Sequence, residues 1–78
     1  KFVTKNLPVK FGSDAEQVTV YDTGGGIIIK LNKTDFSSGQ IIWAGSDSSD
    51  KKIESGAYIY KIKKSDGKTV FGPVIIAK

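Results

Sequence analysis

The sequence contains no cysteine, no histidine, no methionine and no arginine. Without cysteine there is no disulfide and no thiolate to act as nucleophile or metal ligand. That absence is neutral about compartment, because extracellular and cytosolic proteins of bacteria both do without cysteine. Without histidine the commonest general base is missing. Without arginine the planar fork that grips bases and phosphates in pairs is missing. Lysine alone gives weak, salt-sensitive attraction to phosphate, so no nucleic-acid partner is expected. No apolar run approaches the ~20 residues of a membrane span, and no leader pattern stands in these residues. Residue 1 is Lys rather than Met, which fits a piece excised or processed from a longer chain.

What is present is short, basic and polar. A chain of 78 residues makes one domain. Such a domain buries only about 60% of its unfolded surface, so its stability is modest, about 4–8 kcal/mol. The net charge of +4 comes entirely from lysine. Residues 1–39 hold 5 Lys and 4 acids, and residues 40–78 hold 7 Lys and 4 acids. The excess sits at Lys61, Lys63, Lys64 and Lys68. Lysines so placed read as a solvated strand face that discourages edge pairing.

The apolar residues recur with period two, in short runs set off by Gly, Ser, Asp and Asn. Pro8–Phe11 reads as an edge strand starting at a proline. Val18 and Val20 point one way, Thr19 and Tyr21 the other. Asp22-Thr23-Gly24-Gly25 reads as a hairpin turn, since glycine supplies positive φ. Ile27, Ile29 and Leu31 form the next inward row. Lys33 to Gly39 reads as a crossing to a second sheet, with Phe36 plugging its underside. Gly39–Trp43 is the fourth run, and residues 44–56 are a long loop anchored by Ile53. Tyr58, Tyr60 and Ile62 face inward, against a wetter row of Ile59, Lys61 and Lys63. Ser65–Lys68 is a tight turn, and Thr69–Ala77 the last strand, with Gly72-Pro73 as a bulge or edge break.

About seven short strands at this spacing predict an all-β sandwich of antiparallel strands, with a small barrel as the alternative. Residues 1–7 read as a linker remnant or a first short strand, and residues 8–78 as the domain. The predicted core is Val18, Val20, Ile27, Ile29, Leu31, Ile41, Trp43, Tyr58, Tyr60 and Ile62.

The stretch WAGSDSSDKKIESGAYIY, residues 43–60, carries the candidate sites. Trp43 with Tyr58 or Tyr60 could form a sugar-stacking platform, but a small domain cannot leave the about 1.5–3 kcal/mol of a buried aromatic unused. The core reading is favoured. Asp47, Asp50 and Glu54 are the candidate metal ligands. Calcium needs six to eight oxygens, and Asp47-Ser48-Ser49-Asp50 lacks the alternating acid spacing of the familiar loop. Turn chemistry is favoured there. Gly24-Gly25-Gly26 lacks the following helix that holds a phosphate. Most of the aspartates (Asp14, Asp22, Asp47, Asp50 and Asp66) fall in turns rather than as a converging pair, so no catalytic residue, cofactor or enzyme activity is expected.

Five spaced elements carry a further likeness. They are Val18–Asp22, a glycine turn, Ile27–Leu31, Gly39 through Trp43-Ala44-Gly45 to Asp47, and Ile53 through Gly56 to Tyr58 and Tyr60. In this order they resemble the FlgD-like immunoglobulin-like domains, named after the flagellar hook-capping protein. The resemblance runs from about Pro8 to Ala77. Ala44 departs from it, standing where the family usually has Asp, and Asp50 stands near the family's loop glycine. The resemblance implies an immunoglobulin/fibronectin III-like sandwich. It also implies two settings: the hook-capping scaffold, or a C-terminal module of a bacterial secreted or cell-surface protein. The closing Val74–Lys78, apolar and then basic, resembles the second setting.

The leading expectation is thus a non-catalytic accessory module, extracellular or on the bacterial surface, acting as spacer, stabiliser or attachment and sorting element. Its partners would be neighbouring domains or another protein. The alternatives are a hook-capping assembly domain and a carbohydrate-binding module with a polysaccharide ligand.

Overall fold

The computed structural model describes residues 4–6 and 9–77. In chain order it has β1 (Thr4–Asn6), β2 (Val9–Lys10), β3 (Ala15–Asp22), β4 (Ile27–Asn32), a 3-10 turn (Lys33–Asp35), β5 (Ile42–Trp43), β6 (Gly56–Lys64) and β7 (Thr69–Ala77). The fold is all-β, with no α-helix among the described residues. One sheet has five strands in the order β1-β7-β6-β3-β4, and the other pairs β2 with β5. Pairing is antiparallel except between β1 and β7, which run parallel with Thr4 beside Ile75. Part of the 1–7 segment is thus strand. Lys1–Val3, Leu7, Pro8 and Lys78 lie outside the described residues.

The two sheets share one apolar core. Val18 and Val20 of β3 and Val74 and Ile76 of β7 meet Val9, Phe11, Ile41 and Trp43 from the β2 and β5 side. Alternation explains the large sheet. Every second side chain of β3, β6 and β7 must turn toward the small sheet. The chain leaves the large sheet after β4, crosses through the 3-10 turn to β5, and returns through residues 44–55 to β6. The expected sheet change occurs at both places, and Phe36 is half-buried against the core.

Three expectations need correction. Ile27 was expected inside, yet it is 59% exposed. A bulge at Val20/Tyr21 is the reason: Val20 faces Ile29 while Tyr21 faces Ile27, leaving Ile28 as the extra residue. The slip turns Ile27 outward beside Tyr21 and lets both Ile28 and Ile29 pack on the core. The strand predicted over Gly39–Trp43 contracts to Ile42–Trp43. Gly39, at φ 72°, closes a turn on the Phe36 carbonyl instead. Finally, Gly72-Pro73 neither bulges nor breaks β7, which stays in register with β6 across Tyr60–Gly72 and Ile59–Pro73. Pro73 is tolerated because β1 covers β7 only at Ile75–Ala77, so no neighbouring strand asks for its missing N–H.

Of the other expected core residues, Val18, Val20, Ile41 and Trp43 are buried. Ile29, Leu31, Tyr58, Tyr60 and Ile62 are half-buried against them.

Candidate functional site

Trp43 closes the short strand β5 and is 1% exposed. Its indole Nε1 donates to the Ser46 carbonyl at 2.9 Å, so its one polar atom is satisfied inside. Tyr58 meets it edge-to-face, with ring centroids 6.3 Å apart and planes at 78°. Neither face of the indole is open to a sugar ring. The platform that the sequence allowed is a packed corner joining β5 to β6.

The loop carboxylates are placed by a turn that occurs three times among the described residues. In Asp22–Gly26 the Asp22 N–H donates to the Gly26 carbonyl and the Gly25 N–H to the Asp22 carbonyl. In Asp47–Lys51 the Asp47 N–H donates to the Lys51 carbonyl and the Asp50 N–H to the Asp47 carbonyl. In Lys64–Lys68 the same two bonds link Lys64 with Lys68 and Gly67 with Lys64. The fourth residue has positive φ each time: 91° at Gly25, 64° at Asp50 and 88° at Gly67. Asp22 Oδ1 accepts from Gly24 and Gly26 N–H at 2.9 and 2.8 Å. Asp47 Oδ1 accepts from Ser49 and Lys51 N–H at 2.9 and 3.0 Å. The third turn starts with Lys64, and there Asp66 accepts from Lys68 N–H at 2.9 Å.

Asp47 thus holds a turn, Asp50 fills a glycine position within it, and Glu54 meets Tyr58 through its backbone carbonyl. The structure does not bring the three carboxylates together. Among the described residues no three His, Cys, Asp or Glu side chains are grouped to hold a metal. Asp47→Ala is expected to lower stability by about 1–2 kcal/mol, as two amides lose their acceptor. Asp50→Gly should raise the urea midpoint by relieving left-handed strain, worth up to about 1 kcal/mol, whereas Asp50→Val should lower it. Millimolar calcium should leave the wild-type midpoint unmoved, and a rise would reinstate the metal site.

The Tyr58 hydroxyl donates to the Glu54 carbonyl at 2.7 Å. Burial, and then the charges of Glu54 and Asp22, raise its pKa above the ordinary 10.0. The neutral phenol is therefore the form that the fold favours. Its contribution is complete below pH 10 and is lost as pH rises through the folded-state value. Urea titrations above pH 10 should show wild-type stability falling more steeply than that of Tyr58→Phe. Parallel curves would contradict this assignment.

Tyr60 stacks its edge on Phe11, with centroids 6.0 Å apart. Beside it a cleft of about 240 Å³ opens between β2 and the large sheet, lined by Val9, Phe11, Ile62 and Val74 with Lys10 at its side. It offers apolar wall and one cation, with no nucleophile or acid–base pair. A shallower hollow of about 450 Å³ lies over the β4 edge, between Ile27, Ile29 and Lys30 and the loop at Asp47 and Asp50.

Two ion pairs fasten one end of β3: Lys33 with Glu16 and Lys64 with Asp14, both at 3.5 Å. Being exposed, each contributes at most about 1 kcal/mol. Lys64 was expected to be simply solvated, and the pair with Asp14 qualifies that. No helix among the described residues is long and apolar enough to cross a membrane. Sequence reasoning missed the outer surface of the large sheet, where Ile27, Ile59 and Phe71 are exposed at 59%, 37% and 64%. The even spacing of Ile59, Lys61 and Lys63 was the signal available for it. Compared with known proteins, the sequence matches no family model and no curated protein.

Proposed function

We propose that this chain is a non-catalytic immunoglobulin-like module of the FlgD-like kind, serving a larger bacterial secreted or cell-surface protein as spacer, stabiliser or attachment element. One observation carries the reading. Five residues of the sequence pattern that suggested the family have architectural tasks. Asp22 and Asp47 hold turns, Trp43 fills the core, Tyr58 ties β6 to the preceding loop, and Tyr60 packs on Phe11. A pattern that builds a fold and no reactive cluster suits a module whose work is mechanical or adhesive. The interaction surface is then a sheet face or edge, with protein as the partner class.

Sequencing the parent gene on both sides of this segment tests the proposal. A catalytic or repeat domain upstream, together with an export signal, supports it. A continuing β-rich segment downstream, with only a short region upstream, favours the hook-capping scaffold instead. A free-standing reading frame without an export signal contradicts both.

A further inference from the structure

The large sheet has two faces, and only one meets the small sheet. In register across β4, β3, β6 and β7, the outward residues form rows. One row is Ile27–Tyr21–Ile59–Pro73 and is wholly apolar or aromatic. The next is Lys30–Thr19–Lys61–Phe71. The third is Asn32–Gln17–Lys63–Thr69. These three rows contain three lysines and no carboxylate. Lys30 and Lys63 are exposed, and Lys61 is half-buried. Among the described residues the ion pairs use Lys33 and Lys64 at the end of β3 and none uses Lys30, Lys61 or Lys63, although Asp47 and Asp50 face Lys30 across the hollow at the β4 edge. Thr19, between Lys30 and Lys61, is only 2% exposed, which fits lysine stems lying along the sheet with their ammonium groups outward.

We propose that this outer face is a docking surface for a protein segment that carries carboxylates around an apolar centre. The inference rests on the module reading above and names its contact surface. Charge complementarity selects the occupant. A second copy of the chain would set three lysines against three lysines, which disfavours self-association. A sugar polymer stacks on aromatic planes, whereas half of the apolar row is isoleucine. A lipid surface is entered by side chains projecting about 5–10 Å, and a flat sheet with Tyr21 and Pro73 half-buried does not project so far. An acidic, apolar-centred protein surface satisfies both the row of apolar groups and the lysines beside it. Four strands about 4.8 Å apart, by three or four rows, give on the order of 400–500 Å². That is roughly half of one side of a standard interface, so the contact is a weak one.

The test is an NMR titration of the ¹⁵N-labelled chain. One probe is a 12-residue peptide alternating Glu with Ile or Phe, and the other is its counterpart with every Glu replaced by Gln. The acidic peptide should move the amides of Thr19, Tyr21, Ile59, Lys61 and Phe71. The Gln peptide should bind about tenfold more weakly or worse. Lys61→Glu and Phe71→Ala should each weaken the acidic peptide about as much while keeping the dispersed spectrum of a folded chain. Should either variant unfold, Lys30→Glu and Lys63→Glu provide the same readout from exposed positions. Equal binding of the two peptides, no shifts, or shifts confined to the cleft at Val9 and Phe11 would overturn the proposal. So would tighter binding of polygalacturonate or phosphatidylglycerol vesicles at this face. None of these outcomes depends on the parent gene, so the two proposals fail separately.

Discussion

Trp43→Ala is expected to leave little or no folded domain at room temperature. Truncating a buried tryptophan costs about 3–5 kcal/mol, against a total stability of about 4–8 kcal/mol for a chain this small. The residue is 1% exposed and lies where β5 hands the chain to the returning loop. Its loss opens a cavity between the sheets. It also leaves the Ser46 carbonyl without the indole donor and takes the edge-to-face partner from Tyr58. Trp43→Phe keeps much of the volume and loses the hydrogen bond, so its cost should be smaller, about 1–3 kcal/mol. Urea denaturation followed by circular dichroism measures both. An alanine variant within about 1 kcal/mol of wild type would remove Trp43 from the core.

Substitution of Gly72 is expected to be the second most damaging change, although this glycine lies in the middle of a regular strand. A Cβ at Gly72 would fall 2.5 Å from Tyr60 Cζ and 3.0 Å from Tyr60 Cε2. The tyrosine ring thus lies across the backbone of β7, opposite its own register partner, with Phe11 against its edge. An aromatic ring covering a strand glycine offsets the packing that the missing side chain would supply. Overpacking of this kind costs about 1–3 kcal/mol, so Gly72→Ala should lose that much and Gly72→Val more. The clash has one named partner, which makes it testable by a double-mutant cycle. In a Tyr60→Leu background the Gly72→Ala cost should shrink by at least about 1 kcal/mol. Additive costs would show that the ring is not what Gly72 accommodates.

The parts of the fold that could be read from sequence are those where one local rule acts alone. Strict alternation made β3 and β6 legible, and Asp-x-Gly and Asp-Gly signals made both of their hairpin turns legible. Trp43 was legible as core because a small domain has few large side chains to bury. Ile27 was misread because a one-residue bulge in β4 has no signature in an unbroken Ile27-Ile28-Ile29 run. Gly72-Pro73 was misread as a bulge or edge break because its regularity within the strand depends on two distant things, the Tyr60 ring and the short reach of β1. The parallel β1–β7 pairing joins the two ends of the described chain, and no local pattern encodes it. Among the candidate site residues, the backbone N–H bonds that Asp47 accepts were legible as turn chemistry. The positive φ of Asp50 could have been found by aligning Asp22–Gly26, Asp47–Lys51 and Lys64–Lys68 as repeats of one turn. The lysine-bearing outer face was invisible as a unit, because its rows assemble from four strands only once their registers are set.

The central claim is that the aromatic stretch from Trp43 to Tyr60 is architecture. Collisional quenching of the single tryptophan by acrylamide tests it most directly, in the folded chain and again in urea. The expected result is strong protection in the folded chain, full quenching in urea, and no change in emission when cellulose, xylan or chitin fragments are added. Ready quenching of the folded chain, or an emission change on adding any of these sugars, would mean that Trp43 faces solvent as a ligand platform.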